Sequence, residues 1–177
     1  MLTIQSSHST IGAAEIGPEG LGGYKQAIRG DWQTENGTAV GCSNFGNYHK
    51  NPVYTFSLPQ PTRMSVRLSP VSDHCRASFN VSLYHLSAPG NDFLATPQQQ
   101  QQQSPGILSP QINPKRATFS SNAAVYSGKP TGVCIDNVEM QAGLWAIVPS
   151  TFDPMQEQFD LFISFASSNA VVINRNQ

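Results

Sequence analysis

"GLWAIVPSTFDPMQEQFDLFISF", residues 143 to 165, is two apolar runs separated by a polar interruption. In the first run Leu144, Ala146 and Val148 alternate with Trp145 and Ile147, the period of an extended strand whose two faces are both apolar. In the second, Phe159, Leu161, Ile163 and Phe165 all face one way. Pro149 has no amide proton to give to a ladder, which predicts that the first strand stops there. Ser150 and Thr151 are hydroxyls of the kind that bond to backbone in a turn, and Pro154 sets its own torsion in the following "FDPMQE". The interruption therefore predicts a corner between two core strands, with turn-forming rather than nucleophilic hydroxyls.

The same period of two recurs on either side. In "TRMSVRLS" Met64, Val66 and Leu68 alternate with Arg63, Ser65, Arg67 and Ser69. In "VYTFSLP" Tyr54, Phe56 and Leu58 share a face that ends at Pro59, and in "SFNVSLYHL" so do Phe79, Val81, Leu83 and His85. Val133 and Ile135 alternate with Cys134 and Asp136, the stretch 143–165 supplies two more strands, and "AVVINR" closes the chain. No stretch carries a helical apolar stripe of ten residues or more. About eight short strands punctuated by Gly, Pro and Asn predict an all-β fold, an antiparallel sandwich.

Residues 1–22 are Gly-, Ser- and Thr-rich and read as a flexible leading segment, with the sandwich over 23–177. Residues 89–115 hold six consecutive Gln and five Pro, too little apolar surface to offset ordering, and read as a disordered insertion between strands. The length of 177 residues suits one domain. A net charge of −1 offers no basic excess for nucleic acid. No basic-then-apolar leader and no apolar run of membrane-spanning length stand out, which predicts a cytoplasmic chain with no transmembrane segment. Three widely spaced cysteines, Cys42, Cys75 and Cys134, argue for a reducing compartment and against a disulfide framework.

Candidate chemistry is sparse. Ser150 lacks the Gly-x-Ser-x-Gly elbow. A thiol–imidazole pair can be drawn from Cys42 and His49, one of four histidines with His8, His74 and His85, but no local pattern supports it. Asp73, His74 and Cys75 are contiguous, so in extended backbone their side chains diverge and do not form a metal site. The acidic residues are scattered, against calcium, and no cofactor motif is present. "GPEGLGG" at 17–23 has neither the strand nor the Lys-Ser/Thr of a phosphate loop. "NPVY" at 51–54 reads as a turn feeding a strand, and the sequons at Asn36 and Asn80 as chance matches. Arg63 and Arg67 share an outer strand face and are the two candidates for binding anionic lipid.

Two blocks together resemble a known family. "RGDWQTENGTAVGCSNFGNYHKNPVYTFSL", residues 29 to 58, resembles the opening of the β-sandwich domain of calpains: Gly-x-Trp, a Gly-Gly-Cys-like turn, then Asn-Pro entering a strand. Residues 142 to 165 resemble that domain's aromatic strand, Val-Pro-Ser-Thr-Phe, a corner, and a Phe-rich return. The order and the ending are most similar to the C-terminal domain of PalB-type calpains. Val40 departs from the family's usual Gly, and the acidic loop of conventional calpains has no counterpart. The resemblance implies a C2-like, non-catalytic domain. Its partners would be the papain-like protease core of a parent protein, endosomal-sorting proteins or anionic lipid, and its location endosomal as well as cytoplasmic. It also implies structural roles for Trp32, Asn51, Pro52, Trp145, Pro149, Ser150, Thr151 and Phe152. No segment matches the protease core itself, so no catalytic residue carries over. Two rival readings are a free-standing sandwich that binds a small ligand or carbohydrate, and an enzyme with a Cys/His site.

Overall fold

A computed structural model describes residues 23–87, 108 and 111–176. Among them are nine strands: β1 (Lys25–Trp32), β2 (Val53–Leu58), β3 (Thr62–Pro70), β4 (Phe79–Ser87), β5 (Phe119–Ser120), β6 (Val133–Met140), β7 (Gly143–Thr151), β8 (Glu157–Phe165) and β9 (Asn174–Asn176). They form two antiparallel sheets, β1-β8-β3-β6 and β5-β4-β7-β2-β9. The helical turns among the described residues are short 3-10 turns. The chain is thus the antiparallel sandwich that the alternation predicts.

The predicted inner faces meet in one core. Trp32, Tyr54, Phe56, Met64, Val66, Leu68, Phe79, Val81, Leu83, Trp145, Ile147, Phe159, Leu161, Ile163 and Phe165 pack in a single cluster. Trp32 lies 4.3 Å from the Phe159 ring and stacks on Phe79 across the sheets. β7, apolar on both faces, is covered on both. Trp145 and Ile147 face the core, while Ala146 and Val148 join a second cluster with Tyr48, Val53, Tyr84 and Ile112 on the other side of the sheet. A strand without alternating polarity is what double burial requires.

Three expectations need correction. β7 does not stop before Pro149 but runs through Pro149, Ser150 and Thr151, which pair with Val81, Asn80 and Phe79 of β4. The proline is tolerated because its missing donor faces no partner. The Val81 amide points away from β7 and donates to Ser121 Oγ at 3.0 Å, so Val81 and Pro149 form a non-hydrogen-bonded pair. On the opposite side, the pairing of β2 with β7 already ends at Tyr54 and Ile147. The corner is therefore 152–156, and it carries the chain from one sheet to the other.

β1 is followed by turns around Ser43–Phe45 and Tyr48–Lys50 before the chain enters β2. In "AVVINR" only the last two residues enter β9, with Val171 buried ahead of it. Finally, the insertion assigned to 89–115 is too long at its far end. Ile112 is buried, Asn113 caps the turn Pro114–Arg116, and Ile112 N donates to Leu108 O at 2.9 Å. The rest of that insertion and residues 1–22 lie outside the described residues.

Candidate functional site

The two sequence blocks meet at one end of the sandwich. Trp32, fully buried, donates from Nε1 to Pro149 O at 3.3 Å. Cys42 N donates to Phe152 O at 3.0 Å, and Phe152 N to Ser78 O at 2.8 Å. Gly41, at φ +73°, lies so close to Pro154 that an added Cβ would fall 2.7 Å from its nitrogen. Asn51 Nδ2 donates to the carbonyls of Gly41 and Tyr48 at 3.0 and 2.9 Å, while its Oδ1 has no hydrogen-bond partner among the described residues. Pro52 is buried beside it and leads into β2. The turn after β1 and the end of β7 are thereby bonded to each other through backbone atoms and a buried amide.

Beneath this junction, on the outer face of the β4–β7 pair, lies a nest of hydroxyls. Tyr84 Oη donates to Tyr48 Oη at 3.2 Å, and the Tyr126 and Ser150 hydroxyls are 2.8 Å apart. Ser82 donates to Asn80 Oδ1 at 2.9 Å and is hydrogen-bonded to Ser120, and Asn80 Nδ2 donates to Ser121 O at 3.0 Å. Burial, the first cause in each case, raises the phenol pKa of Tyr48, Tyr84 and Tyr126 above the ordinary value, so these groups stay neutral. Ser150 is completely buried with a phenol as its partner. Thr151 Oγ1 donates to Asp153 O at 2.7 Å, the backbone bond expected of it at the corner. The polar alternation of Asn80, Ser82 and Tyr84 is the sequence signal for this layer. It resembles a solvated face until the tertiary structure covers it.

The catalytic and metal candidates do not assemble. Cys42 is buried, and among the described residues no hydrogen bond joins it to His49. Burial raises the Cys75 pKa, with Glu157 adding to the effect, so the thiol rather than the thiolate is favoured. Asp73 and His74 are exposed, and no three His, Cys, Asp or Glu side chains among the described residues are grouped as metal ligands. His85 stacks on Trp145 at 4.5 Å, and its Nε2 lies 3.1 Å from Ala142 O. Trp145 Nε1 donates to Gln141 O at 2.8 Å. The sequon residue Asn80 is buried in the hydroxyl nest, whereas Asn36 is exposed on a turn.

Arg63 and Arg67 both lie on β3, Arg63 exposed and Arg67 half-buried. Arg63 stands opposite Glu139 and Arg67 opposite Cys134 and Phe162. On neighbouring strands of the same sheet, Arg29 bonds Asp160 through both Nε and an Nη at 2.9 Å. The two arginines therefore belong to a surface of mixed sign.

One groove that sequence reading did not locate opens where β1 ends and β8 begins. It measures about 390 Å³ and is lined by Asp31, Trp32, Gln33, Val71, Ser72 and residues 156–158. Arg175 reaches from β9 to Asp31 Oδ1 at 2.8 Å, and Gln33 Nε2 also donates to Asp31. The groove offers amides and carboxylates from three separate segments, which no local motif could reveal. No protein-family model and no curated protein matches the chain.

Proposed function

We propose that this chain is a non-catalytic, C2-like regulatory or binding module of a PalB-type calpain-like cysteine protease. In this reading it positions the protease core or docks it to endosomal-sorting partners or an anionic membrane. The observation that carries the proposal is the bonding of the two calpain-like blocks to each other. Trp32 to Pro149, Cys42 to the Phe152 backbone and Gly41 against Pro154 join the two blocks at one end of the sandwich, which supports a framework role for these motif residues. Cys42 and Ser150 are both buried, which suits a module whose chemistry resides in a neighbouring domain. An end-on or face-on contact of this kind is weak alone and gains strength when the modules are tethered.

The test is reconstitution with a papain-like calpain core. Added protease activity or a stable complex with the core is expected, and cleavage by the isolated chain is not. A hydrolytic activity of the purified chain that iodoacetamide abolishes overturns the proposal.

The polar groove favours one alternative, a free-standing ligand- or carbohydrate-binding sandwich. Its walls carry Asp31, Gln33, Glu157 and Gln158, hydrogen-bonding groups suited to a polyhydroxylated ligand. Saturable glycan binding that is lost in Gln158→Ala, with no effect on any protease, selects that reading.

A further inference from the structure

The sequence contains a single Asn-Gly pair, Asn36-Gly37, and it sits on the turn that follows β1. Both residues are exposed. Gly37 is in the left-handed region at φ +72°, with nothing among the described residues within 4 Å of the position a Cβ would take. Its peptide group is thus free of side-chain obstruction and can swing toward the Asn36 side chain. What distinguishes this turn is the treatment of the Asn36 carboxamide oxygen. Thr38 Oγ1 donates to it at 2.6 Å, and Thr38 N, whose shorter bond of 3.0 Å goes to Gln33 O, is shared with it at 3.2 Å. The Thr38 hydroxyl is itself fixed, because it is largely buried and its oxygen accepts from Gln33 N at 2.9 Å.

We propose that Asn36-Gly37-Thr38 is a self-modification site at which Thr38 promotes deamidation of Asn36. Hydroxide removes the Gly37 amide proton, and the Gly37 nitrogen attacks Asn36 Cγ. Negative charge gathers on Oδ1, where two Thr38 donors already point; this is the arrangement that stabilises an oxyanion in acyl transfer. The Cγ–Nδ2 bond breaks, and ammonia leaves with a proton taken from water. Water then opens the resulting succinimide to aspartate or isoaspartate. No oxidant or cofactor enters.

The bond from Gly37 N to Thr34 O, 3.1 Å, must open first. It is a single exposed turn bond, while the donors on the carbonyl are held by the framework. The product matters for the groove beside it. Isoaspartate lengthens the backbone by one methylene inside the turn that returns Thr38 to Gln33, and both products put a negative charge on the side chain that Thr38 ties to Gln33, a residue of the groove wall.

The experiment follows the intact chain in mildly alkaline buffer at body temperature, reading position 36 by peptide mass spectrometry and ammonia release. Conversion centred on Asn36 is expected, with an isoaspartate fraction, and Asn36→Gln should abolish it. Thr38→Val should slow the reaction several-fold in the folded protein, and Thr38→Ser should restore it. In urea the wild type and Thr38→Val should convert at equal rates, which separates the cradle from local sequence. A folded chain left unconverted while its urea-unfolded form reacts overturns the proposal, as does equal conversion of folded wild type and Thr38→Val. Circular dichroism confirms that each variant is folded before its rate is read.

Discussion

Ser150 brings a hydroxyl to a fully buried position, and the Tyr126 phenol 2.8 Å away satisfies it. Ser150→Ala removes one partner and leaves the Tyr126 oxygen half-buried with a bond missing, at a cost of about 1–3 kcal/mol. Chemical denaturation of the two proteins measures the difference. The same nest sets a pH dependence. In the unfolded chain tyrosine loses its proton near pH ~10. Burial raises the phenol pKa of Tyr48, Tyr84 and Tyr126 in the folded chain, so above that pH the folded state holds more protons than the unfolded one. Stability is then complete below about pH 10 and falls as the pH rises beyond it. Tyrosinate absorbance at 295 nm should therefore appear for these residues only as the protein unfolds, whereas in urea they should titrate at the ordinary value. Early, reversible titration of all tyrosines in the folded protein would contradict the buried nest.

β7 shows how the surroundings of a strand decide what its residues mean. Pro149 lies in the strand because its nitrogen points past the end of β2 and its carbonyl is taken by Trp32. Pro149→Ala should change stability by less than about 1 kcal/mol. Moving the proline one residue, as Val148→Pro, removes a donor on the side facing Ser82 of β4 and should cost more than roughly 2 kcal/mol. Similar destabilisation by the two variants would refute the pairing. At the far end of the insertion, Ile112 packs with Tyr48, Val53, Tyr84 and Val148. Ile112→Ala should lower the unfolding free energy by about 2–4 kcal/mol, far more than a residue in a solvated loop would. A lone isoleucine bounded by Gln-, Pro- and Asn-rich sequence has no period around it, which explains why it reads as part of the insertion.

At the level of the whole molecule, two sheets are closed against each other by the core and by a side-chain tie. Arg175, on the edge strand β9, bonds both the carboxylate and the carbonyl of Asp31 on the edge strand β1 of the other sheet. Arg175→Ala should cost about 1 kcal/mol, the upper part of the range for a partly exposed pair. Removing the exposed Arg29, whose bonds to Asp160 stay within one sheet, should leave the melting temperature unchanged. Equal effects would mean that the tie between layers contributes nothing of its own. Most connections cross between the sheets: of the successive described strands only β4 and β5 are neighbours in one sheet. The chain by itself determined which residues face inward, because the period of two and the apolar identity of Met64, Phe79 and Phe159 are local properties of extended backbone. Neither strand partnership nor the meeting of Cys42 with Phe152, Tyr126 with Ser150, or Asp31 with Arg175 was legible there, since each joins segments far apart in the chain. Only the tertiary structure decided those. Packing two sheets face to face is a global solution, in which a polar strand face becomes buried and a proline becomes part of a ladder according to what lies across from it.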